Sequence, residues 1–141
     1  MIEPIPPFSI FSAISELAVT AGVIYLIWRN WNRLPFPLWV FLAVVLFEGF
    51  VNVTYMASRA SHAATGAEPI AAGMKLFFAI HGIVSLLAFL AFVLLGIFAY
   101  QDQKAGRFFF REHPTLTWIF LVVWTFSVGS GEVIFATRYL L

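Results

Sequence analysis

Four apolar stretches, each long enough to cross a bilayer as a helix, follow one another along the chain. They run from about residues 8 to 28, 38 to 56, 76 to 100 and 116 to 140. Spanning a hydrocarbon core takes about 20 apolar residues, so each stretch predicts a transmembrane helix. The short polar connections favour sequential neighbours packed side by side. We therefore expect an all-α fold, an integral membrane bundle of four antiparallel transmembrane helices forming one domain over residues 1–141.

The composition agrees with this pattern and removes several classes of function. The chain is 62% hydrophobic and 11% charged, whereas soluble domains carry roughly 25% charged residues. Eight basic and seven acidic residues leave no field that would attract nucleic acid. The absence of cysteine excludes disulfides, iron–sulfur clusters and thiolate metal sites. No motif of soluble enzymes occurs, and we expect a protein that is not catalytic by itself.

The distribution of basic residues predicts the orientation. Five lie in the first and third connections and three on the other side, and cytoplasmic connections of membrane proteins are enriched in Lys and Arg. We therefore expect a multi-pass membrane protein with both termini on the outer side. The five are Arg29, Arg33, Lys104, Arg107 and Arg111, and the three are Arg59, Lys75 and Arg138.

Polar side chains inside the apolar stretches are the candidate functional residues, because ionisable groups in a bilayer are costly and usually face the bundle interior. At about 1.5 Å rise per residue, Glu16, Glu48, His81 and Glu132 all reach one layer in the outer half of the bilayer. Asn52 follows Glu48 by one helical turn and extends the layer. Gly129, Ser130 and Gly131 precede Glu132, so we expect the fourth helix to approach its neighbours closely there.

Three interpretations of this layer stay open. It could be a hydrogen-bonded polar core with at least one protonated glutamate, since crowded carboxylates oppose one another's ionisation in a low dielectric. It could be a metal or haem-edge site with His81, Glu48 and Glu132 as ligands. It could also be a proton relay or a quinone-facing site. His62, expected in the second connection, is a possible additional ligand if that segment folds back.

Two further regions lead to predictions, namely residues 104–111 and His113. Residues 104–111 mix basic and aromatic side chains beside the membrane, which favours an interfacial anchor that contacts acidic lipid headgroups. His113 is expected to help start the fourth helix on the cytoplasmic side.

Seventeen phenylalanines offer flat apolar surface to lipid and to other membrane subunits. The expected partners are therefore the lipid bilayer and other membrane proteins.

The order of features resembles a family of small four-helix membrane proteins that includes CtaM and YozB, which is linked to maturation of haem-copper oxidases. The resemblance spans roughly residues 57–141 and rests on the four helices, a histidine in the second connection, His81 near the start of the third helix, and a basic connection that ends at His113 and Pro114. It implies that His62, His81 and His113 are the functional histidines. Residues 34–37 depart from the family, because no histidine stands at the start of the second helix.

Together with the aromatic-rich exterior, the resemblance implies an accessory subunit or assembly factor of a respiratory complex in a bacterial inner membrane. That complex would be either a haem-copper oxidase or a quinol-linked one. A small proton-coupled transporter that uses Glu16 is one alternative. An intramembrane protein that binds metal through carboxylates and histidine is another. Haem, a quinone or a metal ion are the cofactors that these hypotheses allow.

Overall fold

The computed structural model describes residues 4–5, 7–64 and 72–141, without the side chains of residues 58–64, 72 and 74. Its regular structure is helical throughout the described residues. The long helices are α1 (Pro7–Trp31), α2 (Leu38–Ala64), α3 (Ala72–Lys104) and α5 (Pro114–Tyr139), and α4 (Phe109–Glu112) is a single turn. The predicted all-α fold with four long apolar helices is confirmed.

The helices extend past the apolar stretches that predicted them. The apolar stretch that predicted the second helix ends at about residue 56, yet α2 continues to Ala64. No glycine or proline interrupts residues 57–64, and four of these residues are alanine, the strongest helix former. His62 therefore lies in the last turns of α2, and its expected place in the connection is wrong. The side chain of His62 is outside the described residues.

The outer surface of the bundle is as apolar as its interior. Large hydrophobic side chains on the long helices are exposed, among them Trp39, Leu46 and Phe50. Each of the four long helices contains a span long and apolar enough to cross a membrane. An apolar exterior of this kind is stable in lipid and not in water. These features support a multi-pass membrane protein.

Contacts between neighbouring helices pair residues in opposite sequence order. The Ser9 hydroxyl near the start of α1 donates to the Tyr139 hydroxyl at the end of α5 (3.3 Å). Further along α1, Thr20 Oγ1 accepts a hydrogen bond from Trp124 Nε1 (3.1 Å). The same reversal relates α1 to α2, α2 to α3, and α3 to α5, as in the pairs Phe8–Tyr55, Phe41–Phe92 and His81–Ser130. Each neighbouring pair therefore runs in opposite directions.

Aromatic side chains fill one end of the bundle. The Phe92 ring, 1% exposed, lies 5.3 Å between centroids from Phe41 and 5.7 Å from Trp124. Phe120 completes this group against both Phe92 and Trp124. The Phe41 ring covers Gly96 of α3 so closely that a β-carbon at Gly96 would overlap it. A glycine at this position thus permits the contact between α2 and α3.

The one-turn helix α4 closes the same end. Phe109 and Phe110 are buried, so this part of residues 104–111 packs inside the bundle, and the expectation of an interfacial anchor is wrong for these two rings. The buried side chain of Asn30 accepts the Phe110 backbone N–H through Oδ1 (2.9 Å). Thr117 Oγ1 donates to the Phe110 carbonyl (2.9 Å). These bonds partner backbone groups that lie away from water. We call the end of the bundle that contains α4, Asn30, Thr117 and Phe36 the closed end.

Basic side chains bind the connections at the closed end. Arg29 Nε donates to the Pro35 carbonyl (2.9 Å), and Arg111 Nη1 donates to the Trp31 carbonyl (2.8 Å). The Phe36 N–H donates to Gln103 Oε1, which links the first connection to the end of α3. The arginines and α4 therefore hold this end together.

Substitution of Gly96 by alanine tests the close contact with Phe41. We expect G96A to lower the stability of the bundle by about 1–3 kcal/mol, because overpacking a filled interior forces side chains and helices apart. Gly129→Ala is the matched control, since nothing lies within 4 Å of a β-carbon at Gly129. Thermal unfolding in detergent would measure both variants. Equal melting temperatures for the two variants would contradict the proposed contact.

Candidate functional site

The end of the bundle opposite α4 contains a cavity of about 490 Å³. All four long helices contribute to its wall, and the predicted polar layer lies there. We call it the polar cavity. Its polar lining comprises Ser9, Ser12, Glu16, Asn52, Tyr55, His81, Ser85, Glu132, Arg138 and Tyr139, and its aromatic lining includes Phe78, Phe89 and Phe135.

Gly131 of α5 brings Glu16 and His81 together. A β-carbon on Gly131 would lie 3.1 Å from Glu16 Oε2 and 3.0 Å from Cε1 of the His81 ring. The His81 Nε2 atom is 3.4 Å from the same point. A carboxyl group from α1 and an imidazole from α3 therefore flank one position on α5, and only glycine leaves them that room. The predicted close approach of the fourth helix is correct at Gly131, whereas Gly129 faces open space.

A hydrogen-bonded pair orients the His81 ring. His81 Nδ1 lies 2.7 Å from Ser130 Oγ, and Ser130 Oγ donates its proton to the Ser127 carbonyl (2.9 Å). Because the serine hydroxyl has one proton, both bonds form together only when Nδ1–H is the donor to Ser130. Nε2 of the neutral ring then carries the lone pair and faces the Gly131 position. Ser130 thus sets the tautomer of His81.

A second polar contact repeats one turn away on the same pair of helices. Ser85 Oγ lies 2.8 Å from Ser127 Oγ. Two hydrogen bonds in succession therefore hold α3 against α5 beside the polar cavity. Ser85 follows His81 by four residues, which is one helical turn, but nothing in the sequence shows that Ser127 is its partner. The spacing of three residues between Ser127 and Ser130 was the available signal.

Glu48 lies beside the polar cavity and is not among its lining residues. The Asn52 side-chain amide donates to the Glu48 carboxylate oxygen Oε1 (3.0 Å) and to the Glu48 backbone carbonyl (2.9 Å). The Glu48 and Glu132 carboxyl groups lie close enough to Glu16 for their charges to act on it. The structure therefore brings Glu16, Asn52, His81 and Glu132 to the cavity wall and holds Glu48 next to it.

One oxygen atom of the Glu132 carboxyl group lacks a hydrogen-bond partner in the described part of the chain. This atom is Oε1, which is buried. A buried carboxyl oxygen without a partner costs free energy, about 1–3 kcal/mol for an ordinary polar group. Glu132 therefore borders the polar cavity, while this oxygen atom lies buried in the cavity wall.

The geometry gives less support to the other hypotheses that were drawn from the sequence. No three His, Asp or Glu side chains among the described residues are grouped as metal ligands, so a metal site of His81, Glu48 and Glu132 has no support here. His113 lies at the closed end, where its Nδ1 pairs with the Phe109 carbonyl (2.8 Å) and its ring stacks on Phe109. The His113 side chain does not cap α5, although the residue occupies the cap position.

Comparison with known proteins adds no name to this site. No protein-family model, no curated protein and no solved structure matches the chain. The site is therefore interpreted from its own geometry.

Alanine at Gly131 tests the contact between Glu16 and His81. We expect G131A to displace one of the two side chains, because its β-carbon would lie about 3 Å from both. The imidazole nitrogen resonances of ¹⁵N-histidine-labelled protein would report the change as a shift in the His81 signals. G129A, two residues away on the same helix, should leave them in place. Unshifted His81 resonances in G131A would show that the two side chains do not meet at this position.

Proposed function

We propose that this protein binds a membrane-soluble, quinone-type molecule in the polar cavity. The observation that carries the proposal is the convergence of Glu16 and His81 beside Gly131 in the wall of a cavity of about 490 Å³. Small-molecule sites are typically cavities of about 300–1,000 Å³ with a mainly apolar lining and a few polar groups that fix the ligand. The polar cavity has both properties.

The chemistry of the wall suits a ring that carries oxygen atoms. Phe78, Phe89 and Phe135 provide flat apolar surface, which favours an aromatic or quinonoid ring. The His81 imidazole borders the same space and is a group that forms a hydrogen bond with a ring oxygen. The Glu16 carboxyl group accepts or donates one according to its protonation. Together these groups can hold either the carbonyl or the hydroxyl form of such a ring.

In this proposal the protein acts as an accessory subunit or assembly factor of a quinol-linked respiratory complex in a bacterial inner membrane. The basic residues of the first and third connections gather at the closed end, where Arg29 and Arg111 bind backbone carbonyls. Such an excess of positive charge is typical of the cytoplasmic side. The polar cavity then lies in the outer half of the bilayer, and both termini are on the outer side.

The proton-coupled transporter is less well supported. A transporter needs a path from the Glu16 region to both sides of the membrane, and many transporter folds provide it by rocking their halves around a central site. In the described part of the chain, Phe92 and Trp124 are buried between the cavity and the closed end, and Phe110 is buried within that end. The three glutamates suit proton exchange, but all of them lie in or beside the polar cavity, on one side of these buried aromatic side chains.

Ligand binding by the purified protein tests the proposal. We expect a decyl-substituted benzoquinol to bind the wild-type protein in detergent, and Glu16→Gln and His81→Ala each to weaken binding about tenfold. That loss is the usual size for removal of one or two hydrogen bonds to a bound ligand. Isothermal calorimetry or quenching of tryptophan fluorescence would measure the affinities.

The matched controls lie at the opposite end of the molecule. Glu112 and His113 are exposed beside α4, so E112Q and H113A remove the same chemical groups far from the polar cavity. Both controls should bind like the wild type. Equal losses in controls and site variants, or no measurable binding by the wild type, would refute the proposed site.

Association with a respiratory complex is tested in native membranes. We expect the chain, purified in mild detergent with an affinity tag, to retain subunits of an oxidase or a quinol-linked complex. Its deletion should lower the cofactor content or the quinol-dependent activity of that complex. Optical spectra of the membranes and mass spectrometry of the purified material would report these outcomes. A chain that purifies alone and whose deletion changes neither property does not have this role.

A further inference from the structure

Two serines lead from Glu16 along α1 toward the start of the helix. Ser12 precedes Glu16 by four residues and Ser9 precedes Ser12 by three, and these spacings place the three side chains on one face of the helix. All three residues line the polar cavity and are half-buried. We call Ser9 and Ser12 the serine row. Hydroxyl groups therefore follow the Glu16 carboxyl group at about one per helical turn.

The end of α5 continues the serine row. The Ser9 hydroxyl donates to the Tyr139 hydroxyl (3.3 Å), and both Tyr139 and its neighbour Arg138 line the polar cavity. The Arg138 guanidinium carbon lies 5.6 Å from the centre of the Tyr139 ring, and Arg138 is exposed. An exposed arginine at the end of a membrane helix holds its charge in the interface with water. The polar lining thus extends from Glu16 to the aqueous side at this end.

The interior of the bundle is apolar on the other side of Glu16. Toward the closed end, α1 contributes Val23 and Leu26, whose side chains are fully buried. The Thr20 hydroxyl, one turn from Glu16, accepts the hydrogen bond from Trp124 Nε1 (3.1 Å). Hydrocarbon side chains offer no group that takes up a proton and passes it on. Glu16 therefore lies where the hydroxyl-lined part of the bundle meets the apolar part.

We propose that Glu16 exchanges a proton with the aqueous side at this end of the bundle, by way of the serine row and of water in the polar cavity. The cavity is then a proton half-channel, a path that joins one side of the membrane to a carboxyl group within it. A cavity of about 490 Å³ with polar walls holds water readily, since one water molecule needs about 10–15 Å³ of such space. The exchange requires no quinone-type ligand.

The proton transfer conserves atoms and charge at each oxygen. The O–H bond of the Glu16 carboxyl group breaks and leaves its electron pair on the carboxylate, while the proton bonds to the oxygen of a neighbouring water molecule. That water molecule passes one of its own protons onward. A serine hydroxyl both donates and accepts hydrogen bonds, so Ser12 and Ser9 hold such water molecules in line. The reverse sequence returns a proton to Glu16, and no electron is transferred.

The other two glutamates are placed less favourably for this exchange. Glu48 is not among the lining residues, and its Oε1 accepts a hydrogen bond from Asn52 (3.0 Å). Glu132 lines the cavity, but its Oε1 is buried in the wall. Glu16 therefore combines a place in the lining with the helix face that carries the serine row. The other ionisable side chains in the described lining are Tyr55, His81, Arg138 and Tyr139.

Infrared spectroscopy of the protein in membranes of phosphatidylethanolamine and phosphatidylglycerol tests the exchange. The sample is held in acidic buffer, where carboxyl groups carry their protons, and the buffer is then replaced by D₂O of the same acidity. The C=O stretching band of a protonated carboxyl group moves when deuterium replaces the proton, and subtraction of the Glu16→Gln spectrum isolates the Glu16 band. We expect the wild-type band to move within the time of the buffer change. In Ser12→Leu it should take about ten times as long as that change, because hydrocarbon replaces a hydroxyl in the row and raises the barrier to transfer.

Two further variants complete the experiment. Ala21→Leu is the matched control, since Ala21 is an exposed residue of the same helix, and its Glu16 band should move as fast as that of the wild type. Ser9→Leu interrupts the row nearer its end and replaces S12L if that variant does not fold. Bands that move equally fast in the serine variants and the control would overturn the serine row as the route. A wild-type spectrum without a Glu16 band in acid, or with a band that does not move in D₂O, would overturn the exchange itself. Decyl-benzoquinol binding is measured separately, so either proposal can fail alone.

Discussion

The structure depends on one constraint, which is that polar side chains within an apolar solvent must find their partners inside the protein. The exterior of the bundle is apolar, with Trp39, Leu46 and Phe50 exposed, so burial of hydrophobic surface gives each helix little preference for one rotation over another. Polar contacts supply that preference. The bonds from His81 to Ser130 and from Trp124 to Thr20 fix how α3, α5 and α1 face one another.

Glycines complete this arrangement in two opposite ways. At Gly96 and Gly131 the missing side chain lets a neighbour approach, so that Phe41 seals one end of the bundle and Glu16 meets His81 at the other. At Gly82 and Gly129 the missing side chain leaves open space. Glycine therefore permits close contacts at two positions, one at the closed end and one in the wall of the polar cavity. It leaves room inside the polar cavity at Gly82, whereas Gly129 lies at the exposed surface of α5. The difference lies in whether an aromatic or polar side chain of a neighbouring helix reaches the position.

The sequence predicted the four long helices and the depth of the polar residues, because both follow from the length of apolar stretches and the rise per residue. It predicted the start of α2 but not its C-terminal end at Ala64, since hydropathy marks the part of a helix that lipid can cover and alanine continues the helix beyond it. The position of a polar residue along its helix also does not show whether its side chain lines a cavity. Glu48 and Glu16 reach the same layer, but Asn52 engages Glu48 and holds it beside the wall.

The burial of Phe109 and Phe110 was beyond sequence reasoning for a related reason. A run of aromatic and basic residues next to a membrane has the composition of an interfacial anchor, and nothing in that composition reveals a buried acceptor elsewhere in the chain. Asn30 is that acceptor, and it lies 80 positions earlier. In a membrane protein the partner of a polar group is set by the packing of distant helices, whereas its depth is set by its own helix.

The same constraint separates a purely structural polar layer from a binding site. A layer selected only to stabilise the bundle would satisfy its polar atoms with one another, because each unpartnered group in a low dielectric opposes folding. Ser85, Ser127 and Ser130 meet that expectation. Glu132 does not, since its buried Oε1 has no partner among the described residues, and the same holds for Asn30 Nδ2 at the closed end. The difference between the two places is that Glu132 borders a cavity together with Glu16 and His81. The unfilled volume therefore favours a ligand over a purely structural role for this part of the layer.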